Sequence, residues 1–434
     1  MAEIKTKKRV IVAMSGGVDS SVAAALLKKQ GYEVAGVFMR FWSENKNAPN
    51  LCCSEGAQKA ARAVAAKLKI PFYIFNFEKE FKKEVVDYFL REQKAARTPN
   101  PCVVCNKKIK FGLLFEKALA LGADFLATGH YARLRREIPN YKSQILNKIQ
   151  SPKYKITYRL FKGKDNPKDQ SYFLYNLTQA RLQHILFPIG DHLKEEIYQM
   201  AKKWRLPYRK DESFDLCFVA NDAESFIKKY LKLRPGKIMN YSYCHSRPES
   251  AIPAKAGIQF GVNSSGNPDS GSRVKPGMTQ GAILGEHPGL PLYTIGQRKS
   301  ISVPRGPWWV IKKDEKNNIL YVSNNEKDLY SKSLLAHKIN WLAGVAPRLR
   351  PALHDSASEG KQGYGGQAKL PLNICAKIRY KSEASAATLR PLDFARGKNY
   401  LQVIFKKPQR AITPGQSVVF YKKNGEVIGG GEIK

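Results

Sequence analysis

The stretch RVIVAMSGGVDSSVAAALLKKQG, residues 9–31, joins an apolar run to a helical pattern through two adjacent glycines. Residues 9–14 are rich in β-branched side chains and predict a short buried strand. Residues 19–30 carry apolar side chains at helical spacing, and Gly31 is a typical helix stop. The glycines allow a tight turn whose amides, together with the helix N-terminus, can hold an anion. The stretch therefore predicts a strand, a phosphate-binding loop and a helix.

The same alternation continues through the first half of the chain. Further strand patterns lie at 32–42, 71–77 and 124–134, and helical patterns lie at 55–69, 78–96 and 107–121. Strands that alternate with helices predict an α/β fold with a Rossmann-like parallel sheet covered on both faces. The motifs SGGVDS, FMRFW and TGHYAR and a cysteine-containing loop all follow strand patterns. Because ligands of such sheets bind at the carboxyl ends of the strands, we expect the functional site there.

The second half of the chain has a different pattern. From about residue 293, short β-type runs alternate with Gly, Pro and Asn turns, which predicts a small β-barrel. We expect a nucleotide-binding catalytic domain at 1–217, a central connector at 218–300 and a C-terminal β-barrel at 301–434. The segments 242–280, 351–369 and 383–398 have little periodicity, so they are predicted to be flexible surface insertions.

Charge and cysteine content limit the class of protein. The 434-residue chain has 74 basic and 36 acidic side chains, a formal net charge of +38. A solvated basic surface is one explanation, but this magnitude favours a polyanion partner, most simply nucleic acid. The apolar run near the N-terminus is too short for a signal peptide, and no apolar segment reaches membrane-spanning length. Seven cysteines without a signal peptide argue against a disulfide framework, so a cytoplasmic protein is expected.

The loop SGGVDSS lacks the Lys-Ser/Thr pair that follows the glycines of kinases and GTPases. It resembles instead the SGGxDS pyrophosphatase loop of enzymes that split ATP into AMP and pyrophosphate, usually to adenylate a carbonyl oxygen. Amidotransferases, synthetases and RNA-thiolating enzymes share this loop. Taken alone, either Asp19 or Ser20 is better explained as a helix cap.

The loop RTPNPCVVCNKKIKF, residues 97–111, contains two cysteines three residues apart. A zinc site needs four ligands, usually with a second CxxC or a Cys/His pair, and the other cysteines form no such motif. A thioredoxin-like pair would begin a helix directly after a strand. We expect a helix to begin at Asn106, which places the Cys105 thiol at its N-terminus among three lysines, with a lowered pKa and high reactivity. Two ordinary loop thiols are the alternative.

The segment TPNPCVVCNKKIKF resembles the signature TPNPDxxCNxxIKF of the tRNA-specific 2-thiouridylases. Other motifs of that family occur in the family's order along most of the chain: SGGVDSSVAA, GVFMRFW, ATGHYAR, KDQSYFLY, LCF, GLPLYTIGQRK, RY and TPGQSVVFY. The resemblance implies that Cys105 is the nucleophile and that Cys217 carries a persulfide. The chain departs from the signature at Cys102, where aspartate is commoner, which makes Cys102 an additional thiol near the target base.

The resemblance also implies a reaction. ATP and Mg²⁺ are the expected cofactors, with Asp19 as a Mg²⁺ contact, and AMP is transferred to O2 of the wobble uridine in the tRNA anticodon loop. A sulfur-relay protein or a cysteine desulfurase would load Cys217, and sulfur transfer would leave a transient Cys105–Cys217 disulfide. The central connector is expected to bind tRNA.

The residues implied to bind ATP lie in the phosphate loop and at two other strand ends: Ala13, Met14, Ser15, Gly16, Gly17, Val18, Asp19, Ser20, Met39 and Gly129. The residues implied to contact the target base or the tRNA are Asn100, Pro101, Cys102, His130, Lys168, Asp169, Gln170, Arg379, Tyr380 and Gln416.

Other interpretations stay open at this stage. Asp169 and Gln170 are also explained as polar turn groups, His130 as a packed strand-end side chain and Arg379 as a solvated strand residue. For the whole chain, the alternatives are another ATP-pyrophosphatase-type synthetase or amidotransferase, a non-catalytic RNA-binding protein, and a metal-binding module. The cysteine pair and the basic β-rich tail favour the thiouridylase interpretation.

Overall fold

The computed structural model describes residues 7–44, 54–137, 157–209, 216–219, 222–241, 283–342, 372–392 and 400–434. The predicted insertions 242–280 and 351–369 lie outside these residues, as do Cys52, Cys53 and Cys244.

Strands and helices alternate in the first half, and strands dominate the second. The strands are β1 (Arg9–Ala13), β2 (Glu33–Arg40), β3 (Phe72–Asn76), β4 (Phe125–Thr128), β5 (Ala132–Glu137), β6 (Thr157–Lys162), β7 (Ile185–Leu186), β8 (Gly236–Asn240), β9 (Ile283–His287), β10 (Trp309–Asp314), β11 (Ile319–Ser323), β12 (Tyr330–Trp341), β13 (Leu372–Lys377), β14 (Ser385–Leu392), β15 (Tyr400–Arg410), β16 (Ser417–Tyr421) and β17 (Glu426–Ile433).

The α-helices are α1 (Val18–Lys29), α2 (Glu55–Lys67), α3 (Glu78–Phe81), α4 (Asp87–Lys94), α5 (Pro101–Cys105), α6 (Phe115–Ala120), α7 (Gln179–Leu182), α8 (Lys194–Lys203) and α9 (Ala223–Tyr230). Two π-helical segments, Lys82–Val86 and Asn106–Leu114, join α3 to α4 and α5 to α6.

Five parallel strands form the N-terminal sheet, in the order β3-β2-β1-β4-β7. Val10 and Val12 of β1 pack with α1 and α2 on one face. Ile11 and Ala13 pack with residues of α3 to α6 on the other face. A strand that is buried on both faces needs apolar side chains at successive positions, as RVIVA provides. The predicted α/β fold with a covered parallel sheet is confirmed.

The helix α1 carries the phosphate loop at its start and lies between the sheet and α8. Ala24 and Leu27 face the sheet, whereas Val22 packs with Ile197 of α8. The first turn of α1 is acidic and its last turn is basic, which matches the helix dipole. This packing holds the N-terminus of α1 at the carboxyl edge of the sheet.

The central sheet has the order β10-β11-β8-β9. β10 and β11 lie beyond residue 300, the predicted end of the connector, yet β11 pairs with β8 of the connector. The central sheet, defined by strand pairing, therefore extends to Ser323, the last residue of β11.

Six antiparallel strands form the predicted C-terminal barrel, in the order β12-β15-β14-β13-β16-β17, and β12 closes it by pairing with β17. The hairpin β5–β6 from the first half of the chain extends the barrel sheet, because β6 pairs with β17 at Phe161 and Glu426. The N-terminal half and the barrel are thus joined by backbone hydrogen bonds.

The prediction that 383–398 is a flexible insertion is wrong for residues 385–392, half of the segment, whereas residues 393–398 lie outside the described residues. Residues Ser385–Leu392 form β14, which pairs with β13 on one side and β15 on the other. Ala387 and Leu389 are 2% and 0% exposed, at the period-two spacing of a strand with one buried face. The alternation is weak in the sequence because alanine and threonine occupy most of residues 385–388.

Across the described residues, every helix is too short or too polar to cross a lipid bilayer.

Candidate active site

The predicted phosphate loop lies between β1 and α1. Gly16 has a φ of +79°, and a Cβ at this position would lie 2.4 Å from the Ala57 carbonyl oxygen, so only glycine fits the turn. The Arg209 amide donates to the Gly16 carbonyl at 2.9 Å and holds the loop from its other side. The loop is therefore a rigid part of the site.

The first turn of α1 has the properties of an anion site. Gly17 is its N-cap residue and provides no side-chain cap. Ser20 and Ser21 turn their hydroxyls back to the Gly17 carbonyl, at 3.1 and 2.8 Å. Because α1 is 12 residues long, its N-terminus has amide donors and a positive dipole end that suit a phosphate. These residues fit the polyphosphate of a nucleotide.

Two side chains of the loop point away from the ligand side. Met14 packs with the core that contains α2, and Val18 packs with α8; both are buried. Ser15 is exposed. If nucleotide binds here, Met14 and Val18 contribute their backbone.

Asp19 is the centre of a polar cluster that joins three elements. The Lys194 Nζ, at the start of α8, donates to both Asp19 carboxylate oxygens at 2.8 and 2.9 Å. The Tyr131 hydroxyl donates to Asp19 Oδ1 at 2.8 Å. Burial raises the pKa of Tyr131, and the Asp19 charge raises it further, so Tyr131 stays a donor at neutral pH.

The remaining residues predicted to bind ATP lie at the same sheet edge. A Cβ on Gly129 would lie 2.7 Å from the Ser20 amide nitrogen, so the backbone after β4 touches the first turn of α1. Met39, near the end of β2, is 9% exposed and shares a core cluster with Ala13. Their role in binding ATP stays a prediction.

The helix that carries Cys102 and Cys105 consists of α5 and the π-helical segment Asn106–Leu114 that continues it, and we name it the cysteine helix. It begins earlier than predicted. Asn100 is its N-cap residue, and its Oδ1 accepts a hydrogen bond from the Val103 amide at 3.3 Å; the buried Pro101 is the first helical residue. The expectation that the helix begins at Asn106 is wrong, because Asn-Pro supplies a cap and a residue preorganised for the first turn. Cys102, half-buried, lies in that first turn, whereas Cys105 is a full turn inside and 9% exposed.

Cys217 lies in the short described segment 216–219, which is anchored by its neighbour. Phe218 is 3% exposed and packs against Phe81, Phe89 and Phe226, with ring centroids 6.1, 5.5 and 5.6 Å away. Phe81 and Phe89 belong to α3 and α4, which lead into the cysteine loop. The anchor therefore places the residue after Cys217 against α3 and α4, the elements that precede the cysteine loop in the chain.

Both thiols contact one hydrophobic cluster. Cys105 is a buried member of the cluster, Cys217 is partly buried against it, and Ala13 and Met39 belong to it as well. Both cysteines are present as thiols, as is Cys375 of β13. Cys105, Cys217, Ala13 and Met39 thus contact one extended hydrophobic core, which also reaches the barrel at Val419 and Val427.

The barrel supports the loop before the cysteines. Gln416 Nε2 donates to the Thr98 and Pro99 carbonyls, each at 3.1 Å, and the Thr98 amide donates to the Pro414 carbonyl at 2.9 Å. Gln416 therefore supports the residues directly before Asn100, and both side chains were predicted to contact the target base or tRNA.

Two other predicted tRNA contacts, Asp169 and Gln170, already have hydrogen-bond partners within the protein. Asp169 is 2% exposed and accepts from the Gly163 and Ser171 amides at 3.1 and 3.0 Å. Gln170 Oε1 accepts from the Tyr131 amide at 3.1 Å.

His130 is 8% exposed, and its Nδ1 lies 2.7 Å from the Thr128 hydroxyl. Burial lowers the pKa of His130 well below its usual value, and the Lys110 charge lowers it further, so the ring is neutral.

The last three predicted tRNA contacts, Arg379, Tyr380 and Lys168, also have partners within the protein. The Arg379 guanidinium donates to the Arg410 and Ala411 carbonyls. The Tyr380 ring packs at a tilt against Phe173, with centroids 4.6 Å apart. Lys168 is half-buried, and its amide donates to Asp165 at 3.2 Å. Their contact with RNA stays a prediction.

Metal ligands are sparse at this site. No group of three or more His, Cys, Asp and Glu side chains could hold a metal ion in the part of the chain that the structure describes. The Asp19 side chain is 33% exposed beside the phosphate loop, and a carboxylate in that position fits a Mg²⁺ ion that arrives with a nucleotide.

Lys194 and Tyr131 are the site residues that sequence reasoning missed. Tyr131 lies in the motif TGHYAR, directly after a strand end, and this position could have marked it as a site residue. Lys194 begins an ordinary amphipathic helix far from the loop in sequence. Only the packing of α8 on α1 brings it to Asp19.

Comparison with known proteins gives three matching family models. They are described as a tRNA methyl transferase HUP domain at residues 8–221, a tRNA methyl transferase PRC-barrel domain at 273–324, and an aminomethyltransferase beta-barrel domain at 331–433. The second model ends and the third begins where strand pairing changes from the central sheet to the barrel.

Curated relatives match over the full length. The chain is 40% identical to the tRNA-specific 2-thiouridylase MnmA of Halothermothrix orenii, over 98% of this chain and 99% of the relative. It is 37% identical to that of Clostridioides difficile over 98% of each chain, and 38% identical to that of Carboxydothermus hydrogenoformans over 99% and 98%. The chain therefore belongs to the tRNA-specific 2-thiouridylase family.

Proposed function

We propose that this chain is an ATP-dependent tRNA-uridine 2-sulfurtransferase that adenylates O2 of the wobble uridine and delivers sulfur through Cys217 and Cys105. Family membership supports the reaction class. The observation that carries the mechanism is the core shared by Cys105, Cys217 and the residues Ala13 and Met39 at the predicted ATP edge. We propose that leaving-group activation and sulfur delivery both take place at this core, as a two-step transfer requires.

The phosphate loop would hold the polyphosphate of ATP during adenylation. O2 of the uridine attacks the α-phosphorus, and pyrophosphate leaves. The Gly16 turn, the amides at the start of α1 and the Lys194 ammonium would stabilise the charge that develops on pyrophosphate. Asp19 would hold the Mg²⁺ ion, which supplies further charge neutralisation when bound.

The thiols would then deliver one sulfur atom. Cys217 enters the step as a persulfide, loaded by a sulfur-relay or cysteine desulfurase partner. The Cys105 thiolate attacks the Cys217 sulfur, forming a Cys105–Cys217 disulfide and expelling hydrosulfide, which attacks C2 of the uridine while AMP leaves. Direct attack by the terminal persulfide sulfur on C2, followed by the same disulfide, is the other order. A thiol reductant supplies the two electrons that restore both cysteines.

The tRNA would approach the loop between the catalytic half and the barrel. The extruded uridine would face Asn100, Pro101 and Cys102, since a base must leave its stack before its edge can be modified. Gln416 supports this loop from the barrel. A tRNA substrate also makes the cytoplasm the expected location.

The family models carry the name of a methyl transferase, which is a different reaction on tRNA. Two thiols at one core and a pyrophosphatase-type loop favour sulfur transfer. A methyl transfer would leave the Cys105–Cys217 arrangement without a chemical role.

The test is mass spectrometry of the wobble nucleoside after incubation of tRNA with the protein, ATP, Mg²⁺ and a persulfide donor. We expect 2-thiouridine with the wild type and at least a thousandfold less with Cys105→Ser or Cys217→Ser, because each removes a thiol that forms or breaks a bond. Cys375→Ser, which removes a thiol on β13, is the matched control and should retain activity. Thiolation that survives both active-site substitutions contradicts the mechanism.

A further inference from the structure

A cleft of about 470 Å³ lies between the catalytic half and the barrel, and we name it the α4–barrel cleft. Its walls come from the π-helical segment Lys82–Val86, from α4 and α5, and from the barrel strands β12, β16 and β17. Asn100, Tyr175 and Ser417 line it and are each at most 9% exposed. The volume is in the range of small-molecule and nucleotide sites.

The cleft opens on a different face of the cysteine helix from the thiols. The residues of this helix that line it recur at spacings of three and four: Asn100, Val103, Val104, Lys107 and Lys108. Cys102 and Cys105 fall between these positions, so helical geometry directs their side chains elsewhere. The cleft therefore lies on the other face of this helix from the thiols, and Asn100 is the one lining residue that it shares with the residues predicted to contact the target base or tRNA.

Positive charge is concentrated around the cleft. Its basic residues are Lys83, Arg91, Lys107, Lys108 and Lys338, against two acidic residues, Glu84 and Glu432. Lys108 pairs with Glu84 at 3.7 Å, and Lys338 pairs with Glu432 at 2.8 Å.

The other three cations, Lys83, Arg91 and Lys107, form no ion pair with any carboxylate that the structure describes. Partial burial lowers the pKa of Lys107, and three neighbouring cations lower it further, which is the signature of charge that an anion would stabilise.

The cleft also offers contacts for a base and a ribose. The Arg91 guanidinium lies 5.9 Å from the centroid of the Tyr88 ring on the cleft wall. Aromatic rings and guanidinium planes stack on unpaired bases, and nearby cations bind the flanking phosphates. Asn100 and Ser417, both buried, add polar side chains to the cleft lining.

We propose that the α4–barrel cleft binds a nucleotide of the tRNA that neighbours the target uridine, with its phosphate among Lys83, Arg91 and Lys107. The inference rests on the proposed function. The two faces of one helix are about 10–12 Å apart, so neighbouring nucleotides of one RNA loop can occupy the cleft and the thiol face together. An acidic segment of a sulfur-donor protein fits less well, because the donor must reach thiols that project away from the cleft.

The test compares two triple variants that lose the same charge. The cleft variant is Lys83→Gln/Arg91→Gln/Lys107→Gln, and the control is Lys67→Gln/Lys202→Gln/Lys203→Gln on the exposed surfaces of α2 and α8. For the cleft variant we expect the Kd for unmodified tRNA to rise about tenfold, since exposed charge contacts each contribute modestly. The slope of log K against log salt should fall by about 0.7, because one single-strand phosphate contact is lost. The Kd for ATP and the thermal unfolding midpoint should stay at wild-type values.

The control variant should change the tRNA Kd and the salt slope much less. Equal losses in both variants would mean a nonspecific effect of net charge and would overturn the inference. Unchanged tRNA binding, with slower sulfur transfer from a persulfide-donor protein but not from a small-molecule persulfide, would assign the cleft to that protein and also overturn it. Since tRNA binding is measured without thiolation, a chain that binds tRNA through the cleft but never thiolates it would refute the proposed function and leave this inference standing.

Discussion

Lys194 places an ammonium group beside the phosphate loop, where it contacts both oxygens of Asp19 at 2.8 and 2.9 Å. We expect Lys194→Gln to raise the KM for ATP about tenfold to a hundredfold, because a hydrogen bond to a charged group contributes about 1.5–3 kcal/mol. The KM for tRNA should not change. Steady-state thiolation rates at varied ATP concentration measure this effect.

Two further variants separate a role in ATP binding from a role in packing. Lys194→Arg keeps the positive charge and should recover most of the ATP affinity. Lys202→Gln removes an exposed lysine from the same helix and should have no effect on the KM for ATP. An unchanged KM in Lys194→Gln would mean that the lysine only neutralises Asp19.

At the scale of the element, β14 is an integral strand of the barrel. Leu389 is fully buried, whereas its neighbour Arg390 is exposed. We expect Leu389→Ala to lower the free energy of unfolding by about 2–4 kcal/mol, since it removes a packed side chain and leaves a cavity. Arg390→Ala should change it by less than about 0.5 kcal/mol. Denaturant unfolding measures both, and equal small effects would indicate that the segment is only a surface insertion.

Elements with a strong local pattern were predictable from the sequence, and β1, the glycine loop and α1 are examples. RVIVA is apolar at successive positions, and α1 repeats apolar side chains at helical spacing, so each pattern is visible within a short window. β14 was missed because alanine and threonine give a weak alternation between Ser385 and Leu392. The start of the cysteine helix was predicted wrongly, although Asn100-Pro101, a typical cap and first residue, could have indicated it.

The parts of the candidate site that depend on tertiary contacts could not be predicted from the sequence. Nothing local marks Lys194 as a partner of Asp19, because the contact arises only when α8 packs on α1. Likewise, the chain order does not show that Phe218 would anchor Cys217 against α3 and α4. The resemblance to a known family supplied the pairing of Cys105 with Cys217, which spacing alone could not provide.

At the scale of the whole molecule, an ion pair joins the two halves. Arg159 of β6 donates to the buried Glu426 of β17 at 2.7 Å, and also pairs with the half-exposed Glu137 of β5. We expect Glu426→Gln to lower the free energy of unfolding by about 1–3 kcal/mol, because a hydrogen bond to a charged group is lost in a buried place. Glu137→Gln, the matched control on the same arginine, should cost less than about 1 kcal/mol. Equal costs in thermal or denaturant unfolding would contradict a special role for the buried pair.

The pairing of β6 with β17 also has a consequence for how the chain is made. β6 leaves the ribosome early, whereas β17 is synthesised more than half the chain later. At about 5–20 residues per second, the open edge of the hairpin waits on the order of tens of seconds for its neighbour. An unpaired strand edge invites association with other nascent chains. Holdase chaperones that bind this edge during translation should therefore raise the yield of native protein.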